Sequence, residues 1–148
     1  MTTAPEVVTC PNCQRRNRVP SAARGAPRCG NCQRPLPWVV DAGDSDFSEI
    51  ADTATVPVLV DVWVPWCGPY RFIISVLENL VTEKAGELRL VKVNADDAPA
   101  VSQRFETQAN STLIVLRGGQ VVARQAGAAP AAVLRQWLED ALIRQVAT

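Results

Sequence analysis

Two pairs of cysteines, Cys10 with Cys13 and Cys29 with Cys32, constrain the start of this 148-residue chain more than any other feature. In each pair two residues separate the thiols, and fifteen residues separate the pairs. Such a Cys-x-x-Cys knuckle points two thiolates at one ion while backbone N–H groups turn toward the sulfurs. Pro11 and Gly30 suit the tight turns this requires. Four soft thiolates in a tetrahedron select zinc, with iron a minor competitor, and a closed all-thiolate shell is structural rather than catalytic. The first forty residues show no clear apolar periodicity, so a metal or disulfides must hold them. Two disulfides would fit an exported protein. The N-terminus has neither a basic nor an apolar leader pattern, so the expected setting is a reducing cytoplasm and the expected cofactor one structural zinc on Cys10, Cys13, Cys29 and Cys32.

The charges divide at the same place. Residues 1–40 hold six arginines against Glu6 alone, a net of +5, and residues 41–148 hold nine basic against fourteen acidic side chains, a net of −5. No aromatic residue interleaves the arginines, which argues against nucleic acid as a partner. The shift falls near Pro35 and Pro37, and the expected division is a zinc ribbon over residues 1–37 and a second domain over residues 38–148. An apolar content of 47% argues against disorder. No stretch reaches the roughly 18 uncharged apolar residues of a membrane span, so no membrane partner is expected. The chain has no histidine, which excludes Ser-His-Asp triads, Cys-His pairs and imidazole bases.

From Val56 the pattern changes. Residues 56–63 are β-branched and almost continuously apolar, as in a strand covered on both faces. A turn at 64–69 leads into a helical repeat of Phe72, Ile73, Val76, Leu77, Leu80 and Val81, with Pro69 in its first turn. Residues 88–93 predict a second strand and 98–105 a short helix. Residues 112–116 and 120–124 flank Gly118-Gly119 as a hairpin, and a last helix starts near Pro130. Strand–helix–strand crossovers followed by a hairpin give an α/β fold, a mixed central sheet flanked by helices. Cys67 lies where a strand ends and a helix begins; unpaired N–H groups and the helix dipole there favour a reactive thiolate.

The string Val60-Asp-Val-Trp-Val-Pro-Trp-Cys-Gly-Pro69 closely resembles the active-site segment of the thioredoxin family. The similarity continues through residues 91–96, 118–123 and 126–127. With the four-cysteine module in front, the chain resembles the thioredoxin-2 type, a zinc ribbon on a thioredoxin fold. The resemblance implies that Cys67 is the attacking thiol of a protein-disulfide reductase serving electron transport and cell redox homeostasis. It implies that Asp61 is the buried carboxylate behind the site, with Lys92 its usual neighbour. Trp63, Trp66, Gly68, Pro69 and Tyr70 then line the site, and Gly127 lines the substrate groove. Its partners would be disulfide-containing proteins and, as reductant, a thioredoxin reductase.

Three positions depart from the family. The resolving cysteine is replaced by Tyr70, Ser111 occupies the cis-proline slot before Thr112, and Ser75 replaces the proline of the helix. Tyr70 cannot attack a mixed disulfide, so monothiol chemistry with impaired turnover is expected. A cis bond before a residue other than proline costs about 3 kcal/mol, so the substrate loop at Ser111 is expected to change shape. Losing the helix proline is benign. The competing expectation is a redox-inactive binding or holdase module on the same scaffold.

Overall fold

The computed structural model describes residues 6–19, 27–64, 70–84, 87–106, 112–126 and 130–143. Its first unit is an antiparallel pair, β1 (Glu6–Thr9) and β2 (Arg16–Val19), with Val7 opposite Arg18 and Thr9 opposite Arg16. The two knuckles share one backbone pattern. Cys10 N–H donates to Arg15 O (2.8 Å) and Gln14 N–H to Cys10 O (2.9 Å), just as Cys29 donates to Arg34 (2.9 Å) and Gln33 to Cys29 (3.0 Å). Each closes through a glutamine in the left-handed region, Gln14 at φ 68° and Gln33 at φ 67°. The turn strain therefore falls on these glutamines, four residues after each leading cysteine. Asn17 ties the halves together: its Oδ1 accepts from Gly30 N–H (2.9 Å) and its amide donates to Arg15 O (3.0 Å).

The second unit is a five-stranded sheet in the order β3 (Val39–Asp41), β5 (Arg89–Asn94), β4 (Val58–Trp63), β6 (Thr112–Arg117), β7 (Gln120–Ala126). The first three strands are mutually parallel, and β6 and β7 run antiparallel. This is the mixed sheet the sequence predicts. Gly118 and Gly119, both at positive φ, make the β6–β7 turn, a conformation open to glycine at no steric cost.

Alternate residues of the sheet enter two apolar layers. Val58, Val60, Val62, Val91 and Ile114 pack with Phe47, Ile50, Val101 and Phe105, from a π-helical turn (Ser48–Asp52), its flank, and α2 (Pro99–Arg104) with its cap. Leu59, Leu90, Leu113 and Val115 pack with Leu77, Leu80 and Val81 of α1 (Tyr70–Glu83) and Leu134, Leu138 and Ala141 of α3 (Ala131–Ile143). Asp44 caps α2, accepting from Ala100 and Val101 N–H at 3.0 Å each. Arg135 of α3 grips the Glu83 carboxylate at the end of α1.

The first layer is continuous with the ribbon through Cys10, Cys29, Val19, Leu36 and Trp38. Beside it, the Arg89 guanidinium lies 3.5 Å from the Trp38 ring centroid and donates to Ile50 O at 2.7 Å. Both side chains are 1% exposed. Burial pushes Arg89 down to about 10, so the cation persists at neutral pH. Arg89→Ala removes the stack, the hydrogen bond and the packing together. Stability should fall by about 2–4 kcal/mol in urea unfolding. Arg89→Lys should recover less than half, because an ammonium cannot lie flat on the indole.

Candidate functional site

Cys10 and Cys29 are buried, and Cys13 and Cys32 are half-buried. Their close sulfur contacts cross between the knuckles, Cys10 to Cys32 at 3.6 Å and Cys13 to Cys29 at 3.5 Å. All four sulfurs lie within 4.8 Å of one another. Tetrahedral thiolate ligation with bonds of about 2.3 Å separates sulfurs by about 3.8 Å. The cluster fits a metal ion of that kind, and its cysteines are four free thiols.

The surroundings favour the ionised form at one knuckle. The Cys32 backbone N–H draws the Cys29 thiol down to about 6 against the opposing effect of burial, with help from Asn31 N–H and the Cys13 and Asn17 side chains. The Arg34 N–H likewise lowers Cys32. Cys10 also gains from backbone N–H groups, Cys13 first, but burial and the neighbouring thiols outweigh them and raise it above the ordinary range.

A second constellation lies in the sheet. Asp61, in the interior of β4, is 1% exposed and stands in register with Lys92 of β5 and Leu113 of β6. Lys92 is in register with Asp41 of β3, and its Nζ lies 3.8 Å from Asp41 Oδ1. An alternation of carboxylate, ammonium and carboxylate thus crosses three strands. Asp41 did not stand out in the sequence, because only the β3–β5 register brings it to Lys92. Trp63 ends β4 opposite Asn94.

Of the remaining expected site residues, Trp66, Cys67, Gly68 and Pro69 lie outside the described residues, as do Ser111 and Gly127. Tyr70 is the first residue of α1. The strand ends that precede or follow these positions are neighbours. Val62 pairs with Thr112 at the start of β6, and Thr112 pairs with Ala126 at the end of β7. Chain segments 65–69, 107–111 and 127–129 therefore all attach at one end of the sheet, the carboxyl end of its central strand. In open α/β sheets that end carries the chemistry.

The thioredoxin family model matches residues 38–140. A thioredoxin of Haemophilus influenzae is 39% identical over 102 residues, covering 69% of this chain and 95% of that protein. The chloroplastic M-type thioredoxin of Chlamydomonas reinhardtii is 36% identical over 123 residues, 83% of this chain and 86% of that protein. Thioredoxin C-3 of Corynebacterium nephridii is 28% identical over 142 residues, covering 94% of this chain and 97% of that protein.

Native mass spectrometry of the reduced protein should show one metal ion per chain, lost in Cys29→Ser. Metal uptake at neutral pH should release protons, because Cys10 must surrender the one it holds above the usual range. Affinity should fall as pH falls, because protons compete for the sulfurs, and the fall should steepen below about 6, where the metal-free Cys29 thiolate also takes up a proton. A metal-free folded ribbon carrying two disulfides would overturn this.

Proposed function

The chain belongs to the thioredoxin family, and from that premise we propose that it is a thiol–disulfide oxidoreductase acting on protein disulfides through Cys67. The observation that supports the reading is the meeting of three described strand ends, at Trp63, Thr112 and Ala126, at the carboxyl end of β4, the strand that holds the buried Asp61. We divide the chain into a ribbon over residues 1–37 and a thioredoxin domain over residues 38–148. The ribbon would hold one zinc on Cys10, Cys13, Cys29 and Cys32, a cross-link in place of a hydrophobic core. No described helix is long and apolar enough to cross a membrane, and we assign the protein to the cytoplasm.

The chemistry rests on one thiol. The Cys67 thiolate attacks one sulfur of a substrate disulfide; the S–S bond breaks and the other sulfur leaves as a thiolate that takes up a proton. In a dithiol enzyme a second cysteine then attacks Cys67 Sγ. Tyr70 stands in that position and offers a phenol, so release falls to an external thiol, which becomes disulfide-bonded to Cys67 as the second substrate sulfur is freed. A further thiol, supplied by glutathione-like molecules or a thioredoxin reductase, restores Cys67. On the family's pattern, Trp63, Trp66, Gly68 and Pro69 would frame the attacking sulfur, and Ser111 and Gly127 would line the groove for the substrate chain. Asp61, in register with Lys92, is the buried carboxylate behind the site; its family role is proton transfer to the resolving thiol, a task that Tyr70 largely removes.

Incubation with a disulfide-bonded protein should therefore accumulate a covalent adduct through Cys67 that excess small thiol removes. Insulin reduction with a fixed thiol supply should rise from the parent to Tyr70→Cys, and again to Tyr70→Cys with Ser111→Pro. A parent as fast as the double variant would show that Tyr70 does not occupy the resolving position. If Cys67 alkylates readily but no variant turns over, a binding or holdase module is the better reading.

A further inference from the structure

The ribbon hairpin has two unlike faces. Val8 and Val19 pack into the core and Asn17 reaches Gly30 of the second knuckle, whereas Val7, Thr9, Arg16 and Arg18 stand exposed. Val7 is 51% exposed, a large apolar side chain left in solvent between charged neighbours. Register puts Val7 beside Arg18 and Thr9 beside Arg16, and a shallow cavity of about 260 Å³ is lined by Val7, Arg16, Asn17 and Arg18. Among the described residues, no carboxylate forms an ion pair with either arginine.

We propose that this face docks an extended, acidic polypeptide segment of a partner protein. Arg16 and Arg18 project at the strand period, about 7 Å apart. The alternate side chains of an extended peptide repeat at the same distance, so two carboxylates of a Glu-x-Glu segment meet two guanidiniums, each able to bind in bidentate fashion. Val7 and Thr9 supply a floor for the aliphatic stems. The charge division directs the partner here: residues 41–148 carry a net of −5 and repel an acidic segment that the ribbon attracts. Residues 6–37 contain no Phe, Tyr or Trp, so the stacking that single-stranded nucleic acid uses is absent from this surface. The inference goes beyond the proposed redox chemistry, and a binding measurement without disulfides never engages Cys67.

The test is fluorescence anisotropy on the full chain at low ionic strength, with a labelled peptide of alternating Glu and Ser and a thymidine oligonucleotide of equal charge. The peptide should bind, and added salt should weaken it. Arg16→Gln with Arg18→Gln should reduce its affinity about fivefold. Lys84→Gln with Arg124→Gln, which removes the same charge elsewhere, should leave it unchanged. Arg16→Glu with Arg18→Glu should transfer binding to a peptide of alternating Lys and Ser, which excludes simple misfolding as the cause of a loss. The proposal is overturned by equal losses in the two charge-matched pairs, by no peptide binding, or by an oligonucleotide that binds more tightly than the peptide.

Discussion

Burial of β4 on both faces is the constraint from which the rest of the molecule follows. Five of its six residues are buried, so the strand cannot slip by one position without exchanging its two apolar layers. Valines 58, 60 and 62 face α2 and the ribbon, while Leu59 faces α1 and α3. That alternation also decides the fate of Asp61. Sharing its face with Leu59, it lies beneath the helical layer and in line with Lys92. A carboxylate on such a surface is costly unless charge or hydrogen bonds meet it, and the parallel register of β5 sets Lys92 in line with it, the lysine whose ammonium lies 3.8 Å from Asp41. The fixed strand then delivers residues 65–69 from a set point, opposite the start of β6.

The regular elements of the second unit were legible because their periods are pure. The β-branched run ending at Trp63, the helical repeat ending at Val81 and the glycine pair at 118–119 all appear in the structure, with α1 extended to Glu83. Less legible were elements made by distant partners. β3 has only three residues, and Leu90 N–H donating to Trp38 O at 2.9 Å helps define where it lies. The ribbon strands β1 and β2 are short and charged, and nothing in their pattern distinguishes them from loop. The knuckles were readable as a ligand set, yet their left-handed residues are Gln14 and Gln33, where composition points to Gly30. Asp41 was invisible for the same reason as β3: its meaning lies in its neighbour.

The two units are joined by packing as well as by chain. The prolines at 35 and 37 bracket Leu36, which with Trp38 is 1% exposed. Trp38 is held on one side by the Arg89 guanidinium, which also reaches the carbonyl of Ile50. A buried cation is weak evidence for stability by itself, but here it fixes an orientation: the indole, the helical turn and the first residue of β5 share one contact. A metal held by the ribbon is thus tied to the sheet through side chains rather than through a free tether.

The sheet order also carries a consequence for how the chain reaches this state. β6 and β7 are joined by a two-residue turn, so their loop closes at little entropic cost, and β4 finds β5 and β6 through intermediate excursions. β3 must wait for β5, the strand it lies beside, which follows it only after β4 and α1 have been traversed. The outermost parallel strand is therefore expected to dock late, onto a sheet already assembled. The ribbon precedes it in the chain, and with only fifteen residues between its knuckles a metal ion can gather the four thiols locally. Seating of Trp38 against Arg89 would then be the step that joins two preformed pieces, and the same seam is where partial opening would begin.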